Sequence, residues 1–171
     1  MSVNYRGSRD FQRKLEALRD AVPEIVDELI IGEGVHAVGE ARKICKNEPG
    51  LVDTGHYRRN FHAGDKTLSF EGSREHDGSR PKQVGTLYKI DFYNNLDYAK
   101  HLEYGFRSHF VPAQYLSSHY RKRFPKGMYV GKPGSYVRGH FAFWRAVKRT
   151  RNTQQARLTR KLDKAIKKRM K

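Results

Sequence analysis

Glu103 is followed by Tyr104, Gly105 and Phe106 and flanked by His101 and His109, inside the stretch LDYAKHLEYGFRSHFVPAQY. One acidic group beside an aromatic-glycine turn fits two roles: a carboxylate tuned for proton transfer, or an acceptor that fixes a turn. A second concentration of titratable groups, Glu71, Glu75, His76 and Asp77, would suit a nuclease. It sits in a polar loop with nothing to bury it, and a working acid or base needs surroundings that tune its pKa. The eight histidines fall at spacings such as His56 to His62, His101 to His109 and His119 to His140. None of these is the short helical pair of a zinc site, so they read as surface and turn residues. Cys45 lies beside Ile44 on the apolar side of an expected helix, which suits a buried, inert thiol better than a nucleophile. No phosphate loop, GxGxxG or GxSxG occurs, and Gly32-Glu33-Gly34 reads as a helix defect. No catalytic residue, metal ligand or cofactor is therefore assigned, and the reading is non-enzymatic.

The elements that would position these groups follow from hydrophobic periodicity. Phe11, Leu15, Leu18, Val22, Ile25 and Leu29 recur at spacings of three and four, the mark of an amphipathic helix. Ser8 or Asp10 is a candidate cap, and Pro23 predicts a kink or restart. A second helix is expected over 35–46, after the Gly32-Glu33-Gly34 weak point and before Pro49-Gly50. Asp53 or Thr54 then opens a short helix carrying Tyr57, Arg58 and Phe61, closed by Gly64-Asp65. KTLSFEG and TLYKIDFYNN read as strands, with GSREHDGSRPKQVG as loop or hairpin tip between them. Residues 96–104 read as a short helix that Gly105 ends. The segment 106–138 is irregular, and GMYVGKPGSYVRG suggests a hairpin turning at Lys-Pro-Gly. A last helix starts near HFAFWRAVKRT, and Leu158, Leu162, Ala165 and Ile166 resume its apolar stripe as one helix or two.

The expected class is α+β: a long N-terminal helical arm, a small antiparallel β-sheet with short helices, and a long basic C-terminal helix. With 171 residues and 37% hydrophobic residues, one modest core is expected. The expected division is a single α+β domain, 1–150, with its arm at 1–47 and an extended loop insertion at 106–138, followed by a basic helical tail at 151–171. One cysteine cannot form an internal disulfide, so synthesis in a reducing interior is expected. The first ten residues lack the apolar core of a signal peptide, and no run is long enough for a membrane span.

Charge is the strongest global signal. Lys and Arg number 35 against 18 acids, a net +17. Residues 8–46 hold eight acids and seven bases, whereas 138–171 hold thirteen bases and one acid, a net +12. A field of that strength attracts polyanions: nucleic acid, an acidic protein face or a membrane surface. Arg145, Lys148, Arg149, Arg151, Arg157, Arg160, Lys161, Lys164, Lys167, Lys168 and Arg169 cover most azimuths of the last helix outside its apolar stripe. They are the candidate polyanion or partner contacts, suited to sequence-blind phosphate binding.

Three motifs occur in order: VDTGHYRRN, DYAKHLEYG and GSYVRGHFAFWRAV. Together they resemble the pattern of tail-completion, or minor tail, proteins of long-tailed bacteriophages. On this resemblance Asp53, Gly55 and Arg58 form the first motif. Tyr98, Ala99, Glu103, Tyr104 and Gly105 form the second, and Gly139 and Phe141 the third. Tyr57 stands where the pattern commonly has an aliphatic residue. The resemblance makes Glu103 structural, pairing with Arg58 or accepting backbone N–H groups of the following turn. It implies a virion structural protein at the head–tail junction, made in the host cytoplasm and assembling as a homo-oligomeric ring, a hexamer by the family's habit, between head connector or adaptor proteins and tail tube or terminator proteins. Double-stranded DNA passing through the channel is a further implied partner, with no membrane. The alternative is a sequence-nonspecific nucleic-acid-binding protein acting through the basic last helix.

Overall fold

The computed structural model describes residues 6–49, 51, 55–66 and 75–170. Two helices open the chain, α1 (Arg6–Asp20) and α2 (Val22–Asn47). They break at Ala21, and Pro23 falls in the first turn of α2, where its missing N–H leaves no bond unmade. The expected restart at Pro23 is therefore present. Ser8 and Asp10 are not caps, because α1 already runs from Arg6. Asp10 instead pairs with Arg13 and Lys14 along the helix surface.

α2 passes through Gly32-Glu33-Gly34 without a break, which overturns the reading of that triplet as a defect. The glycines are there for close approach. A Cβ on Gly34 would lie 2.8 Å from that of Ala63, and one on Gly32 would strike the Lys161 ammonium. Glu33 between them is buried.

After α2 come α3 (His56–Arg59) and β1 (Phe61–Gly64). Phe61 belongs to the strand rather than to the short helix expected there, because its ring enters the core between Tyr57 and Phe92. Asp53, Thr54 and most of KTLSFEG lie outside the described residues. The polar stretch beyond carries β2 (Lys82–Val84), which pairs with β3 (Leu87–Lys89), while β4 (Asp91–Asn94) pairs with β1 from Phe61↔Asn94 to Gly64↔Asp91. The expected strand over TLYKIDFYNN is thus present, divided at Ile90, whose side chain turns to the core.

α4 (Ala99–Tyr104) leads directly into β5 (Gly105–Arg107) and β6 (His109–Val111). A 3-10 turn at Ala113–Tyr115 and α5 (Ser118–Arg123) form a tip, and the chain returns through β7 (Met128–Val130) and β8 (Tyr136–Arg138). β6 pairs with β7 and β5 with β8. GMYVGKPGSYVRG is therefore not a hairpin closing on itself. It is the return limb of a larger one, and Lys132-Pro133-Gly134 is a bulge within that limb. All four two-stranded ribbons are antiparallel.

One unbroken helix, α6 (Ala142–Met170), completes the chain and crosses residue 150 without interruption. It packs along α2, and the small side chains of Ala41, Ala142 and Ala146 lie together in the buried core and let the backbones approach. On the other side of α2 lies the β1–β4 ribbon. The core between them gathers Val38, Ile44, Cys45, Leu51, Tyr57 and Phe61, with Phe92 and Phe143 stacked at 4.3 Å between ring centroids. The molecule is α+β, with α2 as its central beam.

Candidate docking site at the start of the last helix

Glu103 lies at the end of α4 and is buried. Its Oε2 accepts the Tyr57 hydroxyl at 2.9 Å and its Oε1 accepts the backbone N–H of Trp144 at 3.0 Å. Trp144 is the third residue of α6, so Glu103 satisfies one of the donors that a helix start leaves open. Its negative charge also faces the positive end of the helix dipole. Burial and the Glu103 charge together push the Tyr57 phenol far above its ordinary range. Neither partner is Arg58. That side chain lines a basic pocket with Arg42, Lys43, Lys46 and Arg59.

The backbone around Glu103 explains the neighbouring motif residues. Gly105 stops α4 with φ 87° and ψ 179°, a conformation open essentially to glycine alone. A Cβ there would lie 2.3 Å from the Val137 carbonyl oxygen, and one on Gly139 would lie 2.2 Å from that of Glu103. The two glycines let the second and third motifs cross backbone to backbone. His140 N–H donates to Leu102 O at 2.9 Å and Phe141 N–H to Glu103 O at 3.1 Å. Phe141 then takes φ 53°, an uncommon value for a bulky residue, as the chain swings into α6. Tyr98 immediately precedes α4 with its ring exposed, and Ala99 packs against the core. Gly55 precedes α3 with φ 76°. Asp53 lies outside the described residues.

A groove of about 890 Å³ opens beside this junction, walled by Tyr104, Phe141, Phe143, Trp144 and Val147 and edged by Arg138 and Arg145. Tyr104 is 64% exposed and Trp144 58%. Lys148 holds its ammonium 5.1 Å from the Trp144 ring. Glu48 meets Arg145 at 2.7 Å, and that hydrogen bond holds its carboxyl below the usual range.

The eleven bases of α6 divide into two groups. Arg145, Arg149, Arg157 and Arg169 reach Glu48, Glu40, Glu33 and Glu24 of α2. Rising numbers on one helix meet falling numbers on the other, as antiparallel packing requires. The Arg157–Glu33 pair is the most enclosed of the four. Arg157 also bonds Thr153, the Thr150 carbonyl and His36, whose Nδ1 meets Thr150 Oγ1 at 3.3 Å. Lys161 lies over Gly32. Lys148, Arg151, Arg160, Lys164, Lys167 and Lys168 are exposed. The acids at 24, 33, 40 and 48, spaced by seven to nine residues along α2, were the sequence signal for this clasp.

The other groups that could have done chemistry are structural. The Asp77 side chain is 1% exposed and accepts the backbone N–H groups of Asp65 at 2.7 Å and Ser79 at 2.8 Å. Burial opposes its ionisation, but hydrogen bonds from Ser79 and Asp65 leave its pKa lowered. It is thus a buried loop pin, not an acid in an open loop. Glu75 pairs with Arg42, and Glu71 lies outside the described residues. His62 is buried against Tyr93, and His36 sits between α2 and α6, so neither is a surface or turn histidine. Burial, with the Glu103 charge behind it, pushes the Cys45 thiol up to about 12. Among the described residues no three His, Cys, Asp or Glu side chains gather as a metal site.

No curated protein and no solved structure matches the chain. One family does, described as "Bacteriophage HK97-gp10, putative tail-component", over residues 9–105. The match takes in α1 from Arg9, all of α2 and the first two motifs, ends at Gly105, and leaves out the rest of the long hairpin and α6. More than half of the sequence is covered, and the chain belongs to this HK97-gp10-like family of bacteriophage tail components.

Proposed function

We propose that this phage structural protein is a neck subunit that forms a homo-oligomeric ring, of hexameric type, joining the head connector to the tail during assembly. The observation that carries the reading is unburied apolar surface at two separate places. α1 leaves Phe11 and Leu15 exposed on its apolar stripe, and the groove beside Glu103 leaves Tyr104 and Trp144 exposed. Two different patches on one chain suit a head-to-tail contact, in which each copy offers one patch to the next and rotation closes the ring. The total surface agrees: the chain exposes 12962 Å², whereas a compact monomer of its 19.9 kDa would expose roughly 8,700 Å². The sealed junction at Glu103 fits a scaffold that holds these patches in place. The exposed bases of α6 are available to line the DNA channel or to meet an acidic face of the adjoining ring.

The test is the mass of the purified protein in solution, alone and with particles that lack tails. A closed oligomer at physiological salt without nucleic acid, or one formed on tailless particles, supports the ring. A monomer under both conditions overturns it.

A further inference from the structure

No residue from 104 to 138 is buried: every one is exposed or half-buried, although the segment is regularly paired. It is a two-stranded arm standing on the Gly105–Gly139 crossing. Each paired limb spans on the order of 20 Å at the usual strand rise. Its tip is built rather than loose. The Arg121 guanidinium donates to the carbonyls of Ala113, Gln114 and Leu116, each at 3.1 Å, and so fastens α5 to the preceding 3-10 turn.

The arm's chemistry is one-sided. No Asp or Glu occurs between Glu103 and Asp163. With Arg121 committed to the tip, the arm still carries Arg107, Lys122, Arg123, Lys126, Lys132 and Arg138, all exposed and distributed over both limbs and the tip. Between them stand exposed rings: Phe110 against Tyr129, Tyr115 at 74% exposure, Tyr120, and Tyr136 opposite Arg107.

We propose that this arm is a nucleic-acid contact, binding the phosphate backbone of duplex DNA without reading its sequence. Three observations favour DNA over an acidic protein face. The bases run from the foot of the arm (Arg107, Arg138) past Lys132 to the tip (Lys122, Arg123, Lys126), a length that can follow a repeating row of phosphates. Tyrosine hydroxyls and cationic side chains are the groups that hydrogen-bond phosphate and sugar. A two-stranded ribbon also has the width that the major groove admits. A protein partner would ordinarily be met by charges of both signs that fix register. The arm differs in place and composition from α6, four of whose bases are held by α2. The proposal does not depend on ring formation.

The test compares two full-length variants that remove the same charge. In the arm variant Lys122→Gln, Arg123→Gln, Lys126→Gln and Lys132→Gln are combined. In the helix variant Arg160→Gln, Lys164→Gln, Lys167→Gln and Lys168→Gln are combined. Affinity for duplex DNA of arbitrary sequence is measured across a salt series, with poly-glutamate as the acidic-polypeptide probe. The arm variant is expected to flatten the slope of log K against log salt by about 2 to 4 and to lose more than about tenfold in affinity, well beyond the helix variant. DNA binding unchanged by the arm variant, or lost equally in both variants, overturns the proposal. So does poly-glutamate binding as tight as DNA binding and equally sensitive to the arm variant. Melting temperature checks the fold, and because none of the four side chains is buried it is expected to stay constant. If it falls, the milder Lys126→Gln/Lys132→Gln pair is scored by the same criteria with half the change in slope.

Discussion

Glu103 caps the first turn of α6: its Oε1 accepts the Trp144 backbone N–H at 3.0 Å across 41 residues of sequence. The same carboxylate accepts the Tyr57 hydroxyl. One side chain thus ties together the segments of all three sequence motifs.

Removing that carboxylate leaves a buried donor, the Tyr57 hydroxyl, and a part-buried one, the Trp144 N–H, without their acceptor. Glu103→Ala is expected to cost about 3 kcal/mol in urea unfolding, and Tyr57→Phe about 1 kcal/mol, since the carboxylate keeps its helix partner. Glu103→Gln, which retains an acceptor but not the charge, should fall between Glu103→Ala and the unsubstituted protein. A loss below about 0.5 kcal/mol for Glu103→Ala would show that the junction does not depend on this group.

Two glycines on one helix should respond oppositely to alanine. Gly39 has no atom within 4 Å of an added Cβ, so Gly39→Ala is expected to gain about 0.5 to 1 kcal/mol from helix propensity. Gly34→Ala would press on Ala63 at 2.8 Å and Ile90 at 3.1 Å, and is expected to lose about 1 to 3 kcal/mol. Equal effects at both positions in denaturant titrations would contradict the close approach of β1 to α2.

Acid should weaken the α2–α6 clasp before it titrates the carboxylates. Burial, then the Arg157 charge, lowers the His36 pKa from 6.5 in the fold. The unfolded chain therefore takes up this proton first, and stability falls as pH drops from above 6.5 toward the folded value. The charges facing His36 are Arg157, Glu40, Glu33 and Lys43. The lowered carboxyls of Glu40, Glu48 and Asp77 act further down, their contribution being lost as pH falls through their folded values. Urea midpoints measured from pH 7.5 to pH 5.5 should decline, and His36→Gln should flatten that part of the curve. An identical decline in the variant would assign it elsewhere.

Trp144 is the single tryptophan of the chain and lies in the groove with 58% exposure. Fluorescence of the dilute monomer should be that of a solvated indole. If the groove is a subunit contact, emission should shift to shorter wavelength as concentration rises, in step with mass. Trp144→Ala should then block assembly while leaving the melting temperature nearly unchanged. Assembly with no change in emission would move the contact away from this groove.

Much of the framework was legible because its causes are local. Pro23 sets the break between α1 and α2, alternation marks β3 and β4, and Gly105 ends α4. What was not legible depends on residues far along the chain. The glycines at 32 and 34 look like helix breakers until Lys161 and Ala63 are brought against them. The limb carrying Lys132-Pro133-Gly134 looks like a hairpin until β5 and β6 supply its real partners. Glu103 could be nominated from its own neighbourhood. Its partners could not, because Tyr57 and Trp144 reach it only once α3 and α6 have packed.

The glycine crossing at the foot of the arm has a mechanical consequence. With Gly105 against Val137 and Gly139 against Glu103, the foot has no slack for sliding. A tug on the distal end would be transmitted through α4 and the first turn of α6 rather than absorbed in a loose tether. Whatever the arm grips, the strain would arrive at the helix whose opening turn walls the aromatic groove.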